Sequence, residues 1–106
     1  MEKEQYYIAA VDDEFDVREL LHYNLSKAGY NVSTYEKAAE ALEDFRESKP
    51  DLILTDWLMP GIDGLEFCRI LKQTPGIQGI PVIMITCKGD ESDISRATDC
   101  GVTDYF

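Results

Sequence analysis

The feature that most restricts the fold is a short apolar run that ends on a single acid and is followed by a turn. Residues 52–55 (LILT) precede Asp56, and Pro60, Gly61 and Gly64 follow before an amphipathic stretch begins. A run without polar alternation predicts a strand buried on both faces, as at the centre of a parallel sheet. Asp56 would then lie at the carboxyl end of that strand, the edge of an open α/β sheet where ligands bind.

The remaining sequence alternates between strand patterns and helical patterns. Strands are predicted over residues 6–11, 31–35 and 81–86, and residues 104–106 begin a fifth. Helical spacing places apolar residues on one face of each intervening helix: Val17, Leu20, Leu21, Leu25 and Ala28; Ala38, Ala41, Leu42 and Phe45; Leu65, Cys68 and Leu71; and, in a short fourth helix, Ile94 and Ala97. Strict βα alternation predicts a single α/β domain, a doubly wound parallel sheet with helices on both faces.

Composition excludes several functional classes for this segment. The formal net charge of −11 argues against gripping nucleic acid or an anionic membrane directly. The charged residues at 1–5 lead into only six apolar residues, too few for a signal peptide or a membrane span. Three cysteines without CxxC spacing disfavour a disulfide framework or a zinc site, and fit the reducing cytoplasm where we expect the protein.

Acidic residues follow the predicted strands at the edge where a ligand would bind. Asp12 and Asp13 come after the first strand, Asp56 after the third, and Thr86 ends the fourth. Carboxylates gathered at one edge repel one another unless a cation joins them, and an all-oxygen ligand set selects a hard cation such as Mg²⁺. A carboxylate beside that metal can attack phosphorus and become an aspartyl phosphate.

These motifs resemble the receiver domain of two-component response regulators, the CheY-like superfamily. The matching segments are VDDE at 11–14, LTDWLMPGIDG at 54–64, PVIMIT at 81–86 and GVTDYF at 101–106. The resemblance extends over the whole chain and implies a flavodoxin-like sheet with strand order 2-1-3-4-5. It also implies that the chain is not an enzyme in the ordinary sense, although a receiver partly catalyses its own phosphorylation.

The resemblance assigns roles to six residues. Asp56 would be the phosphoacceptor, and Mg²⁺ would be ligated by Asp13, Asp56 and the backbone carbonyl of Leu58, with Asp12 holding it through water. Thr86 would be the switch hydroxyl that turns toward the phosphoryl group.

Tyr105 would be the aromatic residue whose rotamer follows that hydroxyl. The implied partners are a sensor histidine kinase, which donates the phosphoryl group, and an output domain or protein, which we expect to be transcriptional.

The sequence departs from the family pattern at its end. The family places a Lys-Pro pair two residues beyond the position of Phe106, and residues 1–106 therefore read as a receiver domain with an incomplete fifth strand and no fifth helix. An unfinished strand edge favours pairing or swapping with a second copy, and hence a homodimer.

Alternative interpretations remain open. Without that lysine the chain could be an interaction module that does not use phosphorylation. A haloacid-dehalogenase-like phosphatase is disfavoured because Leu58 stands where its second aspartate is needed. Asp12 and Asp13 could cap the first helix as well as bind metal. Thr86 and Tyr105 could simply belong to the sheet, and His22 is expected to be structural or on the surface.

Overall fold

A five-stranded parallel sheet forms the centre of the computed structural model. Its strands are β1 (Tyr7–Val11), β2 (Asn31–Tyr35), β3 (Leu52–Asp56), β4 (Val82–Ile85) and β5 (Asp104–Tyr105). The strand order is β2-β1-β3-β4-β5, and every neighbouring pair is parallel. The structure describes residues 6–56, 64–85 and 104–105, with the backbone alone at 64, 65, 104 and 105. This order confirms the predicted doubly wound sheet, whose direction of winding reverses between β1 and β3.

Helices lie on both faces of the sheet, as predicted. In the described ranges they are α1 (Phe15–Lys27), α2 (Ala38–Asp44) and α3 (Gly64–Gln73). Side chains alternate along each strand, so Ile8 and Ala10 pack on the α1 side while Ala9 and Val11 pack on the side of α2 and α3. Each strand at the centre is therefore apolar on both faces. The predicted fourth helix lies outside the described residues.

The α2–α3 side holds the more fully buried core. Phe45 stacks on Phe67 with ring centroids 6.5 Å apart and meets Tyr35 edge-on at 6.1 Å. Phe45, Phe67 and Leu71 are each at most 1% exposed. This packing fixes the helices that follow β2 and β3, and with them the chain direction at the carboxyl edge of the sheet.

The α1 side is less completely covered, and two residues predicted for the inner face of α1 are exposed: Leu20, and Ala28 at the helix C-cap. Leu21 and Leu25 pack against Ile8, Ala10 and Leu54, but no residue of α1 is fully buried. Leu20 was expected on the inner face and is 61% exposed. Leu21 and Leu25 lie one turn apart on the same stripe, whereas Leu20 is rotated away by about 100°.

The end of α1 follows from its sequence. Gly29 adopts φ 101°, the left-handed conformation expected after the helix. Its N–H donates to the Ser26 carbonyl at 3.0 Å, and the Tyr30 N–H donates to the Leu25 carbonyl at 3.2 Å. This pair of bonds is a Schellman motif, which closes α1 and directs the chain into β2.

Observed bounds differ slightly from the predictions. The first strand begins at Tyr7 rather than at residue 6, the third includes Asp56, and α2 ends one residue before Phe45. No helix among the described residues is both long enough and apolar enough to cross a lipid bilayer.

Candidate metal centre

Three carboxylates meet at the carboxyl edge of the sheet. Asp12 and Asp13 directly follow β1, and Asp56 is the last residue of β3. Because Val11 is in register with Thr55 on the neighbouring strand, the residues that follow each of them must be close. One carboxylate oxygen from each aspartate lies within 4.8 Å of the others. The cluster therefore lies at the point between β1 and β3 where the sheet changes winding direction, a preferred ligand position.

Asp12 is the most enclosed of the three acids. It is 6% exposed, and its N–H donates to the Tyr35 carbonyl of β2 at 3.0 Å. Its Oδ1 accepts the Glu14 N–H at 2.9 Å, while the Arg18 Nη1 donates to the Asp12 carbonyl at 2.8 Å. These bonds fix the residue against β2 and the start of α1.

Burial raises the pKa of the Asp12 carboxyl above its ordinary value. The backbone N–H of Glu14 lowers that pKa, the charges of Asp13 and Glu14 raise it further, and Arg18 lowers it. The net direction is upward because a buried carboxylate loses hydration, and its acidic neighbours add repulsion. An ionised Asp12 is therefore costly until a cation joins the cluster.

Asp56 is held between two neighbouring strands. Its backbone is in register with Ile85 of β4, while Thr55, the residue before it, is in register with Val11 of β1. The buried Thr55 hydroxyl donates to the Asp56 carbonyl at 3.1 Å. Asp13 and Asp56 are half-buried, so both carboxylates remain partly accessible to solvent and to a ligand.

The donor set fits a small divalent cation. All three groups are carboxylates, which favour hard ions, and Mg²⁺ binds oxygen at about 2.0–2.1 Å, so that opposite ligands lie about 4.2 Å apart. The 4.8 Å limit on the three oxygens is slightly wider than this spacing. Two direct ligands with a third acting through water are compatible with this limit.

One contact near the cluster was not predicted. Arg18 lies in the first turns of α1, where a cation opposes the helix dipole, and its position there could have suggested an acidic partner. Its guanidinium contacts the backbone of Asp12 and also lies 5.8 Å from the centroid of the Phe15 ring. It brings positive charge to the edge of the acidic cluster.

The structure settles some of the alternatives and leaves others as predictions. Glu14 is the N-cap of α1 and makes no side-chain cap bond, whereas the Asp12 carboxylate accepts the Glu14 N–H. Asp12 therefore both hydrogen-bonds the start of α1 and lies close to the other two acids.

Leu58 and Thr86 lie outside the described residues. The Tyr105 backbone lies in β5 beside Met84, and His22 is exposed on α1.

A family model described as the response regulator receiver domain matches residues 8–106. The chain belongs to this family. As a receiver domain it is part of the two-component signalling class, and its sheet order is that of the CheY-like fold. The cluster of Asp12, Asp13 and Asp56 thus lies in a receiver-domain fold.

Two curated relatives are similar in sequence to this receiver domain. The phosphate regulon transcriptional regulatory protein PhoB of Rhizobium meliloti is 42% identical over 98 residues, which cover 92% of this chain and 43% of the relative. The alkaline phosphatase synthesis transcriptional regulatory protein PhoP of Bacillus subtilis is 40% identical over 99 residues, covering 93% and 40% respectively. The chain therefore spans less than half the length of these regulators.

Solved structures agree on the fold. The chemotaxis protein CheY4 of Vibrio cholerae superimposes with a TM-score of 0.91 at 27% identity, covering 95% of this chain and 84% of that one. A signal receiver domain of a histidine kinase from Syntrophus aciditrophicus gives 0.87 at 36% identity, covering 95% and 76%. The receiver fold thus extends over nearly all of the chain.

Proposed function

We propose that Asp56 accepts a phosphoryl group from a phosphohistidine of a sensor histidine kinase. Mg²⁺ would be held by Asp13, Asp56 and the Leu58 carbonyl, with Asp12 acting through water. The observation that supports this most directly is the meeting of three carboxylate oxygens within 4.8 Å at the end of β3. Asp56 is the proposed acceptor because it ends the central strand and is partly accessible.

The proposed transfer forms one bond and breaks another. A carboxylate oxygen of Asp56 bonds to phosphorus while the P–N bond to the donor imidazole breaks, and the departing imidazole retains a proton. Mg²⁺, when bound, offsets the negative charge of the phosphoryl oxygens and the neighbouring carboxylates. Asp12 and Asp13 would hold the cation beside the acceptor, and the β1–β3 pairing would hold Asp56 in line for attack.

Phosphorylation would then shift a conformational equilibrium that an output partner reads. Thr86 is the proposed switch hydroxyl, and Tyr105 the proposed aromatic that follows it. The relatives PhoB and PhoP are named as transcriptional regulatory proteins, and the chain covers 43% and 40% of them, so we propose a transcriptional output in the cytoplasm.

Acetyl phosphate with Mg²⁺ provides a direct test of the acceptor. We expect intact-protein mass spectrometry to show the addition of one phosphoryl group to the parent chain and none to Asp56→Asn. Asp51→Asn is the matched control, because Asp51 immediately precedes the same strand and lies at its opposite end. It should be phosphorylated like the parent.

The same measurement discriminates against the alternative interaction module. If the parent gains no phosphoryl group, or if Asp56→Asn gains as much as the parent, the proposed acceptor is wrong. Loss of the mass increase in EDTA, with full recovery on adding Mg²⁺, would support the metal requirement.

A further inference from the structure

A cavity opens at the edge of the sheet opposite the acidic cluster. It lies where the chain leaves α2 and where residues 74–80 connect α3 to β4, and its volume is about 460 Å³. Helices of this fold run antiparallel to the strands, so these helix ends lie near the amino ends of β3 and β4. We refer to this cavity as the α2–α3 groove, and the proposed phosphoacceptor chemistry makes no use of it.

The floor of the α2–α3 groove is apolar. Leu42 and Phe45 contribute from α2 and its last turn, Ile70 from α3, and Ile77 from the following connection. Phe45 and Ile77 are almost fully buried, whereas Leu42 and Ile70 remain partly exposed. A ligand's hydrocarbon or aromatic portion could therefore cover surface that water now contacts, on a floor fixed by the core beneath it.

Two cations stand at the rim of this apolar floor. Arg46 and Lys49 line the α2–α3 groove, and among the described residues no acidic one lines it, although the chain has 21 acids against 10 basic residues. A methyl group placed on Gly76, which has φ 90°, would lie 2.9 Å from the Lys49 Nζ. The ammonium group therefore lies against the connection between α3 and β4.

The two rim cations make no ion pair among the described residues. Within residues 6–56 and 64–85, the structure gives neither Arg46 nor Lys49 an ion pair with a carboxylate, and both side chains are exposed. Two cations beside one apolar floor provide complementarity to a ligand that carries both an anionic group and an apolar body. Arg46 supplies a planar fork for a carboxylate or sulfonate, and Lys49 supplies a second point charge.

We propose that the α2–α3 groove binds a small organic anion whose apolar body lies on Leu42, Phe45 and Ile70 and whose acidic group meets Arg46 and Lys49. A volume of about 460 Å³ lies within the range of about 300–1,000 Å³ typical of small-molecule sites. A small monoanion suits this chain better than an acidic protein, because the net charge of −11 repels a partner with many negative charges far more strongly.

Two fluorescent probes of nearly equal shape test the proposal. 1-Anilinonaphthalene-8-sulfonate carries one sulfonate, and N-phenyl-1-naphthylamine has the same aromatic rings without it. Both brighten in apolar surroundings, so titration into the folded 106-residue chain gives an affinity for each. We expect Arg46→Ala/Lys49→Ala to weaken the anionic probe at least fivefold and to change the affinity for the neutral probe less than twofold.

Control variants separate the site from general charge and from misfolding. Lys27→Ala/Lys37→Ala removes the same charge outside the groove and should change both affinities less than twofold, while Ile70→Ser should weaken both probes. Urea titration and near-ultraviolet circular dichroism of each variant identify those that remain folded. The proposal is wrong if Arg46→Ala/Lys49→Ala weakens the anionic probe no more than Lys27→Ala/Lys37→Ala does, or if Ile70→Ser weakens neither probe.

Discussion

At Asp12, burial and negative charge oppose each other within a single residue. The side chain is 6% exposed and has Asp13 and Glu14 as neighbours, and burial raises its pKa. We expect Asp12→Asn to raise the free energy of unfolding in EDTA by about 1 kcal/mol, because the amide removes a buried charge and keeps an oxygen for the Glu14 N–H. Urea unfolding at neutral pH measures the change.

Asp51→Asn is a suitable control for that measurement. Asp51 is exposed, and its Oδ2 accepts the Tyr7 N–H at 2.8 Å, a bond that an asparagine oxygen can also make. Its stability should therefore stay within about 0.5 kcal/mol of the parent. A lower stability of Asp12→Asn in EDTA would mean that the carboxylate contributes more through its hydrogen bond than it costs through burial and repulsion.

For single residues, the sequence predicts the location correctly where the residue stands directly at the end of a strand. Asp12, Asp13 and Asp56 follow apolar runs, so knowing that parallel strands share an edge is enough to bring them together. Arg18 was missed because its contact with the Asp12 backbone depends on the direction in which α1 leaves β1. Leu20 was misassigned for a related reason, since the apolar spacing allows two adjacent stripes and only packing selects one.

At the scale of the elements, hydrogen bonds between two tyrosine hydroxyls and one carboxylate join β1, β2 and α2. The Tyr7 and Tyr35 hydroxyl oxygens are 3.1 Å apart, and the Tyr35 hydroxyl donates to Asp44 Oδ2 at 2.9 Å. Burial raises the pKa of Tyr35 well above its ordinary value, and the bonds to Tyr7 and Asp44 act in the same direction. The folded chain therefore retains this proton at pH values where the unfolded chain releases it.

Alkaline pH should weaken the fold through Tyr35. Above about pH 10 the unfolded chain binds one proton fewer at this residue, so the free energy of unfolding falls with pH by up to about 1.4 kcal/mol per unit from this group. Tyr35→Phe should remove this one-proton contribution from the slope. It should also lower the free energy of unfolding at neutral pH by about 1 kcal/mol, because the hydrogen bonds of the hydroxyl are lost. Urea unfolding across pH 9 to 11 measures both, and the exposed Tyr23→Phe should match the parent.

The short helix α2 depends on a single aromatic anchor. It has seven residues, too few to be stable alone, and Phe45 at its C-cap packs on Tyr35 and Phe67. Phe45→Ala should lower the free energy of unfolding by about 3–5 kcal/mol because it leaves a cavity. Phe15→Ala, at a side chain 64% exposed, should change it by less than about 0.5 kcal/mol. Equal losses in urea unfolding would show that Phe45 is not an anchor.

The elements were largely predictable because each carries its own local signal. Residues 31–35 are β-rich and form β2 with the predicted bounds, and Gly29 marks the end of α1. β1 and β4 each begin one residue later than predicted, since ladder pairing, not propensity, decides where a strand starts. Phe67 is fully buried yet was not in the predicted face of α3, because Leu65, Cys68 and Leu71 already satisfied the helical spacing.

The molecule as a whole carries its negative charge unevenly. The formal net charge is −11, and three carboxylates meet at one edge of the sheet. The described lining of the α2–α3 groove, at the opposite edge, contains two cations and no acid. Bringing like charges together opposes folding, so a cation that binds only the folded cluster must stabilise the whole domain.

Magnesium should therefore raise the melting temperature by more than its ionic strength explains. At ten times the dissociation constant, binding to the folded state adds about 1.4 kcal/mol, which raises the melting temperature of a domain of this size by about 6–11 °C. Differential scanning calorimetry in millimolar MgCl₂, against NaCl of equal ionic strength, measures the difference. Asp13→Ala removes a proposed ligand and should lose most of it, whereas Asp51→Asn removes one charge outside the cluster and should keep it. If Asp13→Ala is stabilised as much as the parent, magnesium acts by screening, and the meeting of Asp12, Asp13 and Asp56 is not a metal site.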